Sequence, residues 1–130
     1  MMATSTPGGA KTNLGLEPNV AGLLCYVPCC VGLVFSVVAA IVEKQSRFVR
    51  FHAFQSLLVH GAAIVLGLGL NIAQVALGLA GLGAVGLLLS VLGMVVGVAF
   101  LGLTIFLMIK SHSGEEFELP VVGPMARQWV

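Results

Sequence analysis

The sequence predicts an all-α integral membrane protein: a bundle of three transmembrane helices, the first kinked at a proline, with short polar tails. Three observations carry this expectation. No Asp, Glu, Lys or Arg occurs from Phe51 to Ile109, a run of 59 residues. Charged residues make up only 8% of the 130-residue chain, against roughly 25% in an ordinary soluble domain. Apolar residues reach 58% and mean hydropathy is +1.09, more apolar surface than a small soluble domain can hide. The uncharged run is too long for one crossing, since a span needs about 20 residues, and suits two. A break is expected at Ala80-Gly81-Leu82-Gly83-Ala84, where two glycines flank a leucine.

Taken in order, residues 1–16 read as a flexible polar tail. They lack the basic n-region and apolar h-region of a cleaved signal peptide. The transmembrane domain covers 17–112, and Glu17-Pro18-Asn19 looks like its first helix start, with proline in the first turn. Span one is 20–42. Pro28 lies inside it and should kink or divide it. Small residues at Ala21, Cys25, Cys29, Gly32, Ser36 and Ala40 share one face, where helices can approach closely in lipid. Cys25, Cys29 and Cys30 are read as packing residues. Their spacing suits neither a disulfide framework nor a zinc site.

A hydrophilic connection follows, from Glu43 to Arg50. Two readings stand for it: Glu43 pairs with Arg47 one turn on, or Ser46 caps the next helix. Span two is about 52–79. It carries a polar and small stripe: His52, Ser56, His60, Ala63, Gly67, Asn71, Gln74 and Gly78, all on one helical face. His60, Asn71 and Gln74 lie deepest and should face protein or water, because an amide left unpaired in lipid is costly. Span three is about 85–109. Gly86, Ser90, Gly93 and Gly97 step by four, three and four, which draws a helix-packing seam. Lys110 and His112 close this helix at the end where positive charge suits its dipole. The tail, 113–130, is amphipathic, broken by Pro120 and Pro124, and ends near an interfacial Trp129.

Three spans place the termini on opposite sides. Lys44, Arg47, Arg50, Lys110 and Arg127 would share one side and Lys11 the other. The positive-inside rule then sets the amino terminus outside and the carboxyl terminus in the cytoplasm, within a plasma (inner) membrane. On that shared side, Arg47 or Arg50 is expected to pair with Glu115, Glu116 or Glu118.

The stretch Arg47-Phe48-Val49-Arg50-Phe51-His52-Ala53-Phe54-Gln55-Ser56 resembles the core motif of small bacterial and archaeal membrane proteins of the magnetosome MamF type. These are themselves similar to the Tic-type membrane component of chloroplast protein import. Leu24-Cys25-Tyr26, Pro28 and Val31-Gly32 resemble the family's opening pattern. Gly114, Phe117, Leu119, Pro120 and Gly123 loosely resemble its closing one. Ser46, where relatives often have Asn, and Cys29-Cys30 are local departures. The resemblance covers about residues 20–126. It implies three spans, no established enzymatic activity, and roles in membrane-compartment assembly or protein translocation.

The functional expectation is a non-catalytic, oligomeric membrane scaffold or assembly factor. Its alternative is a channel or translocon-like subunit with the polar face of span two lining a path. Ser56 and His60 share a face, but that span has no acidic third member for acyl-transfer chemistry. No catalytic residue, cofactor or metal is expected. Arg47, Phe48, Arg50, Phe51, His52, Gln55 and Ser56 are expected to form a recognition patch for a protein partner or anionic lipid headgroups. The partners expected are the bilayer, a second copy or another membrane protein. A net charge of +1 argues against nucleic acid.

Overall fold

Helices α1 (Pro18–Cys25), α2 (Cys30–Val42), α3 (Arg47–Leu79), α4 (Gly83–His112) and α5 (Val122–Arg127) follow one another in a computed structural model that describes residues 12–28 and 30–130. Among these residues there is no strand. The expected flexibility of residues 1–11 and the packing role of Cys29 lie outside them. α3 and α4 are the long elements, 33 and 30 residues, or about 50 and 45 Å. Both are apolar and expose large side chains along most of their length, among them Val65, Ile72, Leu88 and Val98.

The turn between them falls where the glycines indicate. Gly81 takes φ +78°, which a Cβ would oppose. Leu82 N–H donates to Leu77 O and Gly81 N–H to Gly78 O, a Schellman closure of α3. α4 ends the same way: Gly114 has φ +83°, with Gly114 N–H on Ser111 O and Glu115 N–H on Lys110 O.

The first span is different from the expected kinked crossing. It is two helices, of 8 and 13 residues, that fold back on each other. Pro18 starts α1, and the helix stops at Tyr26, two residues before Pro28. Gly32 then packs so tightly on the break that an added Cβ would overlap the Val27 carbonyl and come within 2.9 Å of the Cys25 carbonyl. At the other end of the pair, Asn13 meets Glu43. Asn13 N–H donates to Glu43 Oε2 at 2.8 Å, and Asn13 Oδ1 accepts from Lys44 N–H at 2.7 Å and Gln45 N–H at 3.2 Å. Residue 13 and residues 43–45 thus lie together, so the α1–α2 segment begins and ends at one end of the bundle. Two helices, α3 and α4, are long and apolar enough to cross a membrane, and α2 is apolar but shorter. Residues 12–16 are also no free tail: Thr12 Oγ1 and Leu16 O bond at 2.9 Å, and the segment is clasped to the α2–α3 connection.

α1 sits between α3 and α4. Gly22 allows this, since an added Cβ would overlap Ser111 Oγ of α4 and approach Phe48 of α3 at 3.1 Å. The buried apolar cluster therefore lies at this end, around Ala21, Cys25, Tyr26, Ala39, Val49, Ala53 and Leu107.

Candidate functional site

The sequence-expected patch lies where α1, α2, α3 and the carboxyl-terminal segment converge. Ser46 starts it: its hydroxyl accepts from Val49 N–H at 3.2 Å and caps α3. Of the two readings for the connection, this one is realised. Glu43 points inward instead of pairing with Arg47. It is fully buried, and accepts from Asn13, Gln45 and Ser46 N–H at 2.8, 2.8 and 2.9 Å.

Arg50 caps α2. Its Nη1 donates to Glu43 O at 2.9 Å and Ala40 O at 3.4 Å, orphan carbonyls of a helix end. Its Nη2 donates to Trp129 O at 3.0 Å, and its guanidinium lies 5.3 Å from the Phe54 ring centroid. Trp129 itself makes an edge contact with Phe54 at 5.7 Å. The expected pairing of Arg47 or Arg50 with the acidic tail does not occur. Glu115 pairs with Lys110 at 3.2 Å, while Glu116 and Glu118 both pair with Arg127. Partial burial opposes the Arg127 charge, but these two carboxylates outweigh it and hold the guanidinium above its ordinary pKa. Arg127 also stacks on buried Phe51, 4.1 Å from the ring centroid. Lys44 and Arg47 remain exposed.

Inside this shell His52, Gln55 and Tyr26 form a closed hydrogen-bond network, all three fully buried. His52 Nε2 lies 3.1 Å from Glu115 O. A carbonyl only accepts, so Nε2 carries the proton and Nδ1 is the acceptor. Tyr26 Oη–H donates to that Nδ1 at 3.0 Å and accepts from Gln55 Nε2 at 2.9 Å. Gln55 Nε2 gives its other proton to Phe117 O at 3.0 Å, and Gln55 Oε1 accepts from Leu119 N–H at 3.1 Å. Two side chains of α3 thereby hold the backbone of residues 115, 117 and 119 against the helix. Phe48 and Phe51 close the sides of His52, with ring centroids 4.5 and 5.2 Å away.

One turn deeper a second polar group closes the α1–α2 break. Cys25 O lies at the end of α1. It accepts from Ser56 Oγ at 2.5 Å and lies 3.0 Å from Ser36 Oγ, which also reaches Gly32 O at 2.7 Å. His60 Nδ1 lies 2.9 Å from Ser56 O, so that nitrogen carries the proton. It has no lone pair to take a proton from Ser56 Oγ, 3.1 Å away. His60 Nε2 is buried without a partner, beside the edge of Phe100.

The other expected residues lie far from this group. Asn71 Nδ2 donates to Gly67 O at 2.7 Å, and Gln74 Nε2 donates to Ser90 Oγ across to α4. Of the expected seam, Gly86 and Gly93 do pack on α3, 3.8 Å from Gln74 and Leu70 for an added Cβ, but Gly97 faces open space. Sequence reasoning missed Asn13, Tyr26, Ser36 and Glu43 as polar partners. Their signal was available only as polar residues bordering or interrupting apolar helices. Among the described residues no group of three His, Cys, Asp or Glu is arranged to hold a metal ion.

A UPF0132 membrane protein of Methanocaldococcus jannaschii is 37% identical over 119 residues, covering 92% of this chain and 94% of its own. A UPF0132 membrane protein of Archaeoglobus fulgidus is 32% identical over 115 residues, covering 88% and 97%. No solved structure matches. The family model described as the magnetosome magnetite crystal formation protein family, MamF/MmsF, matches residues 16–126, and the chain belongs to that family of membrane proteins.

Proposed function

We propose that this chain is a non-catalytic membrane scaffold, crossing the bilayer twice, whose charged end organises other membrane components. The carrying observation is how the motif residues are used. His52, Gln55, Ser56 and Tyr26 are buried and bonded to the chain's own backbone or to one another. Ser56 gives its proton to Cys25 O, and the neighbouring histidine nitrogen is already protonated, so this pair is unsuited to nucleophilic chemistry. What such a site supplies is rigidity.

α3 and α4 are the two crossings in this reading. α2 reaches only about 20 Å, short of a roughly 30 Å hydrocarbon core, and serves as a re-entrant hairpin with α1. Non-helical backbone is tolerated at that depth when protein groups satisfy it, as Ser36 and Ser56 do for Cys25 O. Lys44, Arg47, Arg50, Lys110 and Arg127 all lie at one end, and the α3–α4 turn carries no charge. By the positive-inside rule that end, with residues 12–16 and the carboxyl-terminal segment, lies in the cytoplasm of a plasma (inner) membrane. Exposed Lys44 and Arg47 are then the contacts for anionic headgroups or an acidic partner.

A channel or translocon-like role is the second reading, favoured by the polar Asn71, Gln74 and Ser90 on the crease between α3 and α4. Cross-linking in native membranes and solute release from reconstituted vesicles separate the two. The scaffold reading expects defined membrane-protein cross-links that weaken when Lys44 and Arg47 become Glu, with no solute release. Release abolished by Asn71→Leu would favour the path instead.

A further inference from the structure

Away from the α1–α2 hairpin, α3 and α4 have only each other. Their crease is a cavity of about 940 Å³, capped at the charged end by Leu119 and Val122. Two features of it are unexplained within one chain. An added Cβ at Gly67 or Gly97, both lining the crease, would meet nothing within 4 Å. These glycines therefore do not serve the α3–α4 contact. Beside them Asn71 and Gln74 are exposed carboxamides, half satisfied. Each spends one N–H inside the chain, Asn71 on Gly67 O and Gln74 on Ser90 Oγ. Among the described residues, each keeps a second N–H and a carbonyl oxygen without a partner. Asn71 lies nine residues, about 14 Å along the helix, from the α3–α4 turn, inside the hydrocarbon if that turn is at the surface.

A lipid tail fills apolar volume but offers a carboxamide neither donor nor acceptor. A carboxamide carries both, and so complements its own copy. Copies inserted the same way are related by an axis along the membrane normal, which brings each residue opposite itself at the same depth. Glycine at the contact lets the backbones approach closely enough for such pairing. We propose that this crease is a self-association surface: a second copy docks along α3 and α4 with Asn71 and Gln74 paired across a two-fold axis. This inference rests on the membrane-spanning reading above.

The test uses the full chain in bilayer vesicles, with Cys25, Cys29 and Cys30 replaced by Ala. Gly97→Cys should cross-link on mild oxidation, and Val65→Cys, on a face 72% exposed, should not. In fluorescence-transfer measurements, Asn71→Leu with Gln74→Leu should weaken association roughly ten-fold. Gly97→Leu, which blocks close approach but keeps both amides, should weaken it as well. Monomers at all dilutions, equal cross-linking at position 65, or association indifferent to both variants would overturn the proposal. So would labelling of a monomeric Gly97→Cys by a charged thiol reagent, the mark of a water-filled crease. Alkaline carbonate extraction of the same vesicles keeps the two readings apart. Protein released by carbonate refutes the spanning reading, whereas retained but monomeric protein refutes only the dimer.

Discussion

At the scale of residues, the Tyr26–His52–Gln55 network is the most constrained part of the molecule, because every donor and acceptor in it has one role. Tyr26→Phe keeps the ring and removes only the hydroxyl, leaving His52 Nδ1 and one Gln55 N–H buried and unpaired. A loss of about 1–3 kcal/mol is expected, read as a lower melting temperature in detergent, with no change in secondary structure. Gln55→Leu should act more locally. It removes both bonds to Phe117 and Leu119, so protease cleavage between residues 113 and 121 should rise several-fold. Val121 works in the opposite sense. It has φ 69°, ψ −54°, and Val122 N–H donates to Pro120 O at 2.7 Å, a γ-turn of the rare positive-φ kind in a β-branched residue. Val121→Gly should relieve strain of about 1–3 kcal/mol, less the entropy glycine adds to the unfolded chain. A small rise in melting temperature is the expected result. The sequence marked His52, Gln55 and Ser56 as a patch but not the chain's own backbone groups that they bond. A helical stripe shows which residues lie together on one helix. It does not show that residues 115–119 return to cover them.

At the scale of elements, legibility followed the locality of the physics. The α3–α4 turn was readable because two glycines and a Schellman closure act within six residues. The ends of α3 and α4 fall near the limits of the apolar run for the same reason. Pro28 was equally visible, but a proline permits either a kink or a break. The break is stabilised by groups distant in sequence: Ser56 Oγ, 31 residues from the carbonyl it satisfies, and Asn13, 30 residues from Glu43. Periodicity within a 23-residue window carries no trace of either. The hairpin also depends on Gly32, where a Cβ would meet backbone and not a movable side chain. Gly32→Ala should cost more than about 2 kcal/mol and detach α2 from the Val27 turn. Hydrogen exchange would show this as lost protection in α1 and α2, while the lower crease region of α3 and α4 stays protected.

At the scale of the whole molecule, polar chemistry is gathered at one end and apolar surface at the other. The clasp of Asn13 on Glu43, the Arg50 cap and the Arg127 stack on Phe51 tie the amino-terminal segment, the connection and the tail into a single rigid head. The two long helices extend from it with their apolar sides uncovered. The proposed two-crossing arrangement makes one claim that separates it from a three-crossing bundle: residues 17 and 128 lie on the same side of the bilayer. The direct measurement is the sidedness of single cysteines in sealed vesicles, with Cys25, Cys29 and Cys30 replaced. Glu17→Cys, Leu82→Cys and Gln128→Cys are all exposed positions. A membrane-impermeant thiol reagent should label positions 17 and 128 from one side and position 82 from the other. Labelling of 17 and 128 from opposite sides would contradict the account.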